Sequence, residues 1–273
     1  MEIFNEFNAP KKVLVLIFTI LATWWCVLYF GIHNSDVHLN LIWAATYQLA
    51  ALWGAIWGFI IFRSWGGTNS LIGRAILMLS IGLLLQVFGQ TVFSVYNLGL
   101  QVEIPYPSLA DVGFFGSIPF YIYGTYLISK VCGAKMSLQS GHNKFLAILI
   151  PVILLAASFM FFLNDYTFDP TTPIKTFLDF GYPLGQAIYI SFAILAFIFS
   201  SDYLGGIAKN TIKFVLIALC VQYAADFNFL TQAGNGTWVN GGYGDFFYLL
   251  SYAIMSFAII RFGSLFTKIK NRE

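Results

Sequence analysis

"VLVLIFTILATWWCVLYFGI", residues Val13 to Ile32, decides the fold: twenty consecutive residues without a charge. At 1.5 Å per residue a helix of that length covers about 30 Å, the thickness of a bilayer's hydrocarbon core. It is too long for the apolar part of a secretory signal and no small-x-small cleavage site follows it, so it reads as a retained membrane anchor. Outward from it the same pattern repeats. Spans are expected at 13–31, 41–62, 75–96, 109–129, 145–163, 177–200, 211–230 and 244–262, with no stretch between them long enough for a soluble domain. Composition agrees: 59% of the 273 residues are hydrophobic, 10% are charged and mean hydropathy is +0.77. Soluble domains are about a quarter charged. The fold class is therefore an all-α polytopic membrane protein with eight transmembrane helices.

Basic residues stay on the cytoplasmic side during insertion. Of the 14 lysines and arginines, all but Lys175 fall before span one, in the second, fourth and sixth connections, or around the end of span eight. Both termini are thus predicted to be cytoplasmic in a plasma membrane, which requires an even number of crossings. The acids Asp36, Glu103, Asp111, Asp165, Asp169, Asp179, Asp226 and Asp245 map to the outer half. Charge segregated in this way, netting +2, points to a lipid partner and away from nucleic acid. Three cysteines, two in spans and Cys132 in a cytoplasmic loop, make no disulfide framework.

The chain also aligns with itself. "LLLQVFGQTVF" (83–93) matches "LCVQYAADFNF" (219–229), pairing Gln86 with Gln222 and Gln90 with Asp226. "SLADVGFFGS" (108–117) then matches "GYGDFFYLLS" (242–251), pairing Asp111 with Asp245. Two four-helix halves are expected, 1–130 and 145–273 with a cytoplasmic linker at 131–144. Four crossings restore the starting side, so the repeat would be parallel.

Three motifs place an acid at a helix start: Ser108-x-x-Asp111, Thr176-x-x-Asp179 and Gly242-x-x-Asp245. One reading is capping, in which Ser or Thr and the acid satisfy orphan backbone N–H groups at a positive helix end. The other is that three carboxylates at one depth line a shared outward pocket. Asp226 fits capping poorly, since it lies about four residues, or roughly 6 Å, inside span seven. A carboxylate there is costly unless paired, hydrated or protonated. Gln222 shares its helical face, Tyr223 and Asn228 are close in sequence, and no cation is offered by the embedded sequence. With Gln86 and Gln90 this suggests either packing hydrogen bonds between helices or an outward-opening cleft lined by amides and carboxyls, able to take a proton, a cation or an amine.

The segments "EIPYPSLADVGFFGSIPFYIYGTYLI" (103–128), "DFGYPLGQAIYISFAILAF" (179–197) and "YAADFNFLTQAGNGTWVNGGYGDFFYLLSYAIMSFAI" (223–259) resemble the multi-pass N-terminal membrane domain of bacterial and archaeal signalling proteins, which precedes PAS, histidine kinase or diguanylate cyclase modules. The shared pattern is a P-S-x-x-D helix start, a later D-x-x-Y-P, an Asp in the next helix and a final G-x-x-x-D-x-x-W/F-like start. The resemblance covers residues 75–262 best and implies a sensory input role. This chain departs from it in ending at Glu273 without a coiled-coil linker or output module.

Absences narrow the classes. His33, His38 and His142 all lie outside the spans, so an intramembrane bis-histidine haem or His-rich metal centre is not expected, and no mid-membrane lysine serves a Schiff base. His33, Asp36 and His38 in one loop read as solvated, and no metal or cofactor is assigned. Neither H-E-x-x-H nor G-x-S-x-G occurs; with no nucleophile and base pair visible, an enzyme is not expected. "FGYP" (180–183) either breaks span six or tilts its start. Trp24, Trp25, Trp43 and Tyr106 read as interface-belt aromatics, and Asn235-Gly-Thr237 is a sequon. Three functions remain: a sensory module signalling through a separate partner, a small-molecule or ion transporter, or a non-catalytic subunit of a larger membrane complex.

Overall fold

The computed structural model describes residues 8–31, 36–102, 104–132, 140–162, 170–199, 208–234 and 236–271. These residues are helical almost throughout. Helix α1 runs Asn8–Cys26 and continues as a π-helical turn Val27–Gly31; α2 (Val37–Thr46) and α3 (Leu49–Ser64) are two halves of one span. Then come α4 (Leu71–Ser94, extended by a π turn Val95–Leu100), α5 (Leu109–Val131), α6 (Gly141–Phe162), α7 (Pro173–Phe199), α8 (Lys209–Gly234) and α9 (Tyr243–Lys270). Among the described residues seven stretches are long and apolar enough to cross a membrane. Helix α5, at 23 residues, has the length for a further crossing, about 34 Å, but is more polar.

Neighbours in sequence pack as antiparallel pairs, α3 on α4, α4 on α5 and α8 on α9. The two ends of the chain interleave, for α9 lies on α1 and α3, and α5 lies on α7. The Lys11 Nζ donates to Ser264 Oγ at one end of the α1–α9 contact, and Trp25 Nε1 donates to the Gly241 carbonyl at the other. The start of α1 and the end of α9 therefore lie side by side at one end of the bundle. Helix α6 is peripheral: it packs chiefly on α7, and few of its residues are buried.

Small residues set the closest crossings. A Cβ on Gly113 would lie 2.5 Å from both the Gly89 nitrogen and the Leu85 carbonyl oxygen, so α4 and α5 touch backbone to backbone. A Cβ on Gly54 would run into the Ser256 side chain, so α3 and α9 meet closely there. This small-residue packing is how helices associate where lipid removes the hydrophobic drive.

Several sequence expectations change. The start of α7 is Pro173, whose fixed φ suits the first helical position, so Thr176 is not a cap; it lies inside the helix and its hydroxyl donates to the Thr172 carbonyl just before it. Pro183 does not break α7. Trp25 and Trp43 leave the interface belt for the core: Trp43 has no exposed surface and donates to the Leu21 carbonyl. The span containing Trp43 is interrupted at Tyr47 and Gln48, although both stay in right-handed helical conformation. There the Thr46 hydroxyl and Gln48 amide bond the Trp43 and Ala45 carbonyls, competing with the helical ladder.

Candidate functional site

The acids and side-chain amides of the embedded region gather in one end of the bundle, the end where α5 and α9 begin. Ser108 caps α5 in a full capping box: its hydroxyl accepts from the Ala110 N–H, and Asp111 Oδ2 accepts from the Ser108 N–H at 2.7 Å. The other Asp111 oxygen accepts from the Tyr182 hydroxyl of α7 at 2.8 Å. At the start of α9 the N-cap is Gly242, with Asp245 one turn in. Asp245, 3% exposed, accepts from the Gly241 N–H at 2.7 Å and from the Tyr47 hydroxyl at 3.2 Å. Asp179 is held differently, by Lys175 one turn earlier at 2.7 Å and by the Tyr106 hydroxyl at 2.8 Å. Each of the three acids thus has its own hydrogen-bond partners.

One turn below Asp245 lies Asp226. Helix α8 runs on to Gly234, past the polar residues that end its apolar run, so Asp226 is eight residues from the helix end, about 12 Å and twice the depth read from the sequence. It is partly buried. Its Oδ1 accepts from the Tyr248 hydroxyl of α9 at 2.6 Å and its Oδ2 from Gln186 Nε2 of α7 at 2.5 Å. Gln222 Nε2, one turn earlier on α8, reaches the same carboxylate at 3.2 Å. Three helices converge on this acid through neutral donors, and no cation pairs with it among the described residues.

A deeper layer is made of amides and hydroxyls. The Ser251 hydroxyl of α9 donates to Gln222 Oε1 at 2.9 Å. In the other half Gln86 Nε2 donates to Ser117 Oγ at 2.8 Å, and the Tyr252 hydroxyl donates to Gln86 Oε1 at 2.9 Å. Tyr47, Tyr248 and Tyr252 face one another, with ring centroids 5.9–6.5 Å apart. Gln90 stands apart and donates to the Ala44 carbonyl at 2.9 Å. Tyr223 turns to α6, where its hydroxyl pairs with Ser158 at 2.8 Å. The Asn228 amide nitrogen is buried, close to Gly244 and Trp238, without a hydrogen-bond partner.

Sequence reading found Asp226, Gln222 and Gln86, the polar residues of two otherwise apolar helices. It missed Gln186, Tyr248, Tyr47 and Tyr182, the donors that hold the acids, and Tyr252, the donor to Gln86. A signal existed: Tyr182 and Gln186 are one turn apart on α7, as are Asp245 and Tyr248 on α9, so each pair shares a face. Among the described residues no three His, Cys, Asp or Glu side chains gather as a metal site. Asp36 instead caps α2 by accepting from the Leu39 N–H, and His33 lies outside the described residues. Comparison with protein-family models, with curated proteins and with solved structures found no match to this chain.

Proposed function

We propose that this chain is a membrane-embedded sensory module, of the kind that feeds kinases or cyclases, whose switch is the Asp226 node and whose output passes to a separate partner protein. The observation that carries the reading is a carboxylate about 12 Å down α8 that has only neutral donors, drawn from three helices. Its charge is left for an occupant to balance. Any change in that charge alters the pull on α7, α8 and α9 together, which supplies the differential interaction a two-state element requires.

The topology we assign is eight crossings with both termini cytoplasmic in a plasma membrane. The side-by-side placing of Lys11 and Ser264 and the basic residues near them support it. A parallel duplication of four helices is supported by two correspondences. Gln86 bonds Ser117 and Gln222 bonds Ser251, the positions that the self-alignment pairs. Tyr182 of span six reaches Asp111 of span four, and Tyr47 of span two reaches Asp245 of span eight. Each half thereby places a tyrosine on the other half's helix start.

Transport is the weaker reading because a permeation path needs polar groups across the whole bilayer. Below the Gln86–Gln222 layer the buried side chains are chiefly apolar, Leu79, Leu83, Leu219, Met255 and Ile259 among them, and the hydroxyls of Ser80, Thr125, Ser191 and Ser256 are each turned to a backbone carbonyl. The test is spin labels on cysteines placed at Lys12 and Lys213, with the distance measured in nanodiscs for the wild type and Asp226→Asn. A shift in the distance distribution supports sensing; identical distributions refute it. Substrate flux in proteoliposomes would refute it in favour of transport.

A further inference from the structure

At the end of the bundle away from Asp226, the start of α1 borders an open cavity. Asn8, Lys11, Lys12 and Val15 line a space of about 280 Å³, close to the lower end of ligand pockets, about 300–1,000 Å³. Lys12 is exposed and Lys11 partly so. Lys11 gives one of its ammonium hydrogens to Ser264 Oγ of α9, which leaves two for a ligand. Among the described residues neither lysine is paired with an acid, and the one ion pair is Lys175–Asp179. The five described acids, Asp36, Asp111, Asp179, Asp226 and Asp245, all lie toward the opposite end of the bundle. Two positive charges thus border the cavity without a described counter-charge, and the first turn of α1 adds unpaired backbone N–H groups to them.

The wall on the membrane side has the opposite character. Val15 is one turn on from Lys11 and Lys12, and is 55% exposed. It opens the cavity onto an apolar surface where Leu16 and Ile20 are 58% and 56% exposed. The lysines immediately precede the charge-free run Val13 to Ile32. They therefore stand at the level of lipid headgroups, and Val15 at the level of the acyl chains. We propose that this cavity binds the headgroup phosphate of an anionic phospholipid, with Lys11 and Lys12 as its counter-charges and one acyl chain along Val15. Basic pockets at helix ends on a membrane surface take such headgroups. A zwitterionic head would bring a cation of its own to two lysines, so heads of net negative charge, such as phosphatidylglycerol, are selected. A soluble anion would leave Val15 uncovered. Because Lys11 also holds Ser264, the bound lipid ties the start of α1 to the end of α9. The proposal does not rest on the sensory reading.

The experiment is thermal unfolding of the full chain in neutral-detergent micelles at fixed pH and ionic strength, titrated with phosphatidylglycerol, phosphatidylcholine or inorganic phosphate. The expected result is a saturable rise in Tm with phosphatidylglycerol alone. Lys12→Gln changes an exposed side chain and should raise the half-saturating lipid concentration about fivefold, the effect of one basic residue near a headgroup. Lys144→Gln, at an exposed lysine in the first turn of α6, should leave it unchanged. Equal responses to the two lipids overturn the proposal. An equal rise with inorganic phosphate also overturns it, in favour of a soluble-anion site, and an equal loss in Lys144→Gln overturns it in favour of diffuse surface charge. Glu2 and Glu6 lie outside the described residues. A lipid response that emerges only when both are changed to Gln would make the chain's own acids the occupant, and overturns the proposal as well.

Discussion

Tyr47→Phe deletes one oxygen atom and tests whether the exchange between halves holds the bundle together. The Tyr47 ring is almost fully buried, 2% exposed, so phenylalanine fills the same space and the packing term is close to zero. What is lost is the hydroxyl's bond to Asp245 at 3.2 Å. Asp245 then keeps only the Gly241 N–H and, being buried, has no water to replace the loss. A hydrogen bond to a charged group contributes about 1.5–3 kcal/mol. The length of this one places it at the lower end, so Tyr47→Phe should cost about 1.5 kcal/mol. The counterpart, Tyr182→Phe, breaks a shorter bond of 2.8 Å, but Tyr182 and Asp111 are both only partly buried. Water can take the vacated position, and the expected cost is below about 1 kcal/mol. The assay is unfolding free energy in mixed micelles titrated with a denaturing detergent, run as a double-mutant cycle of Tyr47→Phe with Asp245→Asn. Coupling above about 0.5 kcal/mol is expected for groups in contact. Additive effects, or a larger loss in Tyr182→Phe than in Tyr47→Phe, would refute the reasoning.

Gly113→Ala should be among the most damaging single methyl additions, because its Cβ meets backbone atoms of α4 at 2.5 Å and those cannot rotate away. Overpacking of this kind costs about 1–3 kcal/mol, and the same detergent titration would register it, whereas Gly141→Ala, where a Cβ meets nothing within 4 Å, should leave stability unchanged. Ser108→Ala removes the cap hydroxyl of α5 and should cost about 1 kcal/mol, with faster amide exchange at Ala110 as the local sign.

The spans were legible because crossing a bilayer needs only length and apolarity, both local properties. Their ends were less so. An apolar count stops where polar residues run together, as at "TQAG" (231–234) of α8, while the backbone ladder carries the helix through them. Pro173 likewise starts α7 before the apolar run begins. The acids were visible as polar residues in costly places. Their partners were not, because a tyrosine is amphipathic and suits an interface belt and a buried node equally well. Only the crossing of α9 with α3, and of α5 with α7, decides that Tyr47 and Tyr182 serve as donors. Trp43 was misplaced for the same reason: its indole N–H finds the Leu21 carbonyl only once α1 and α2 are packed.

Under the proposed duplication Gln90 occupies the position that Asp226 holds in the second half, and the difference between them separates structural need from function. Gln90 is 3% exposed and donates to the Ala44 carbonyl, so it works as a neutral interhelical bond. Gln90→Asp would turn an acceptor toward an acceptor in a buried place and should destabilise strongly, by about 3 kcal/mol or more. Asp226→Asn is the reverse case. The new side chain can still accept from the Tyr248 hydroxyl, and the Gln186 amide can rotate to present its oxygen to the new NH₂ group. A partly buried charge disappears with little change of shape, so stability should stay within about 1 kcal/mol of wild type or rise. A protein that retains a costly acid where its own other half manages with an amide is expected to gain function from the charge and not stability. If Asp226→Asn unfolds as readily as Gln90→Asp in the same titration, Asp226 is a structural bond and the sensory node is lost with it.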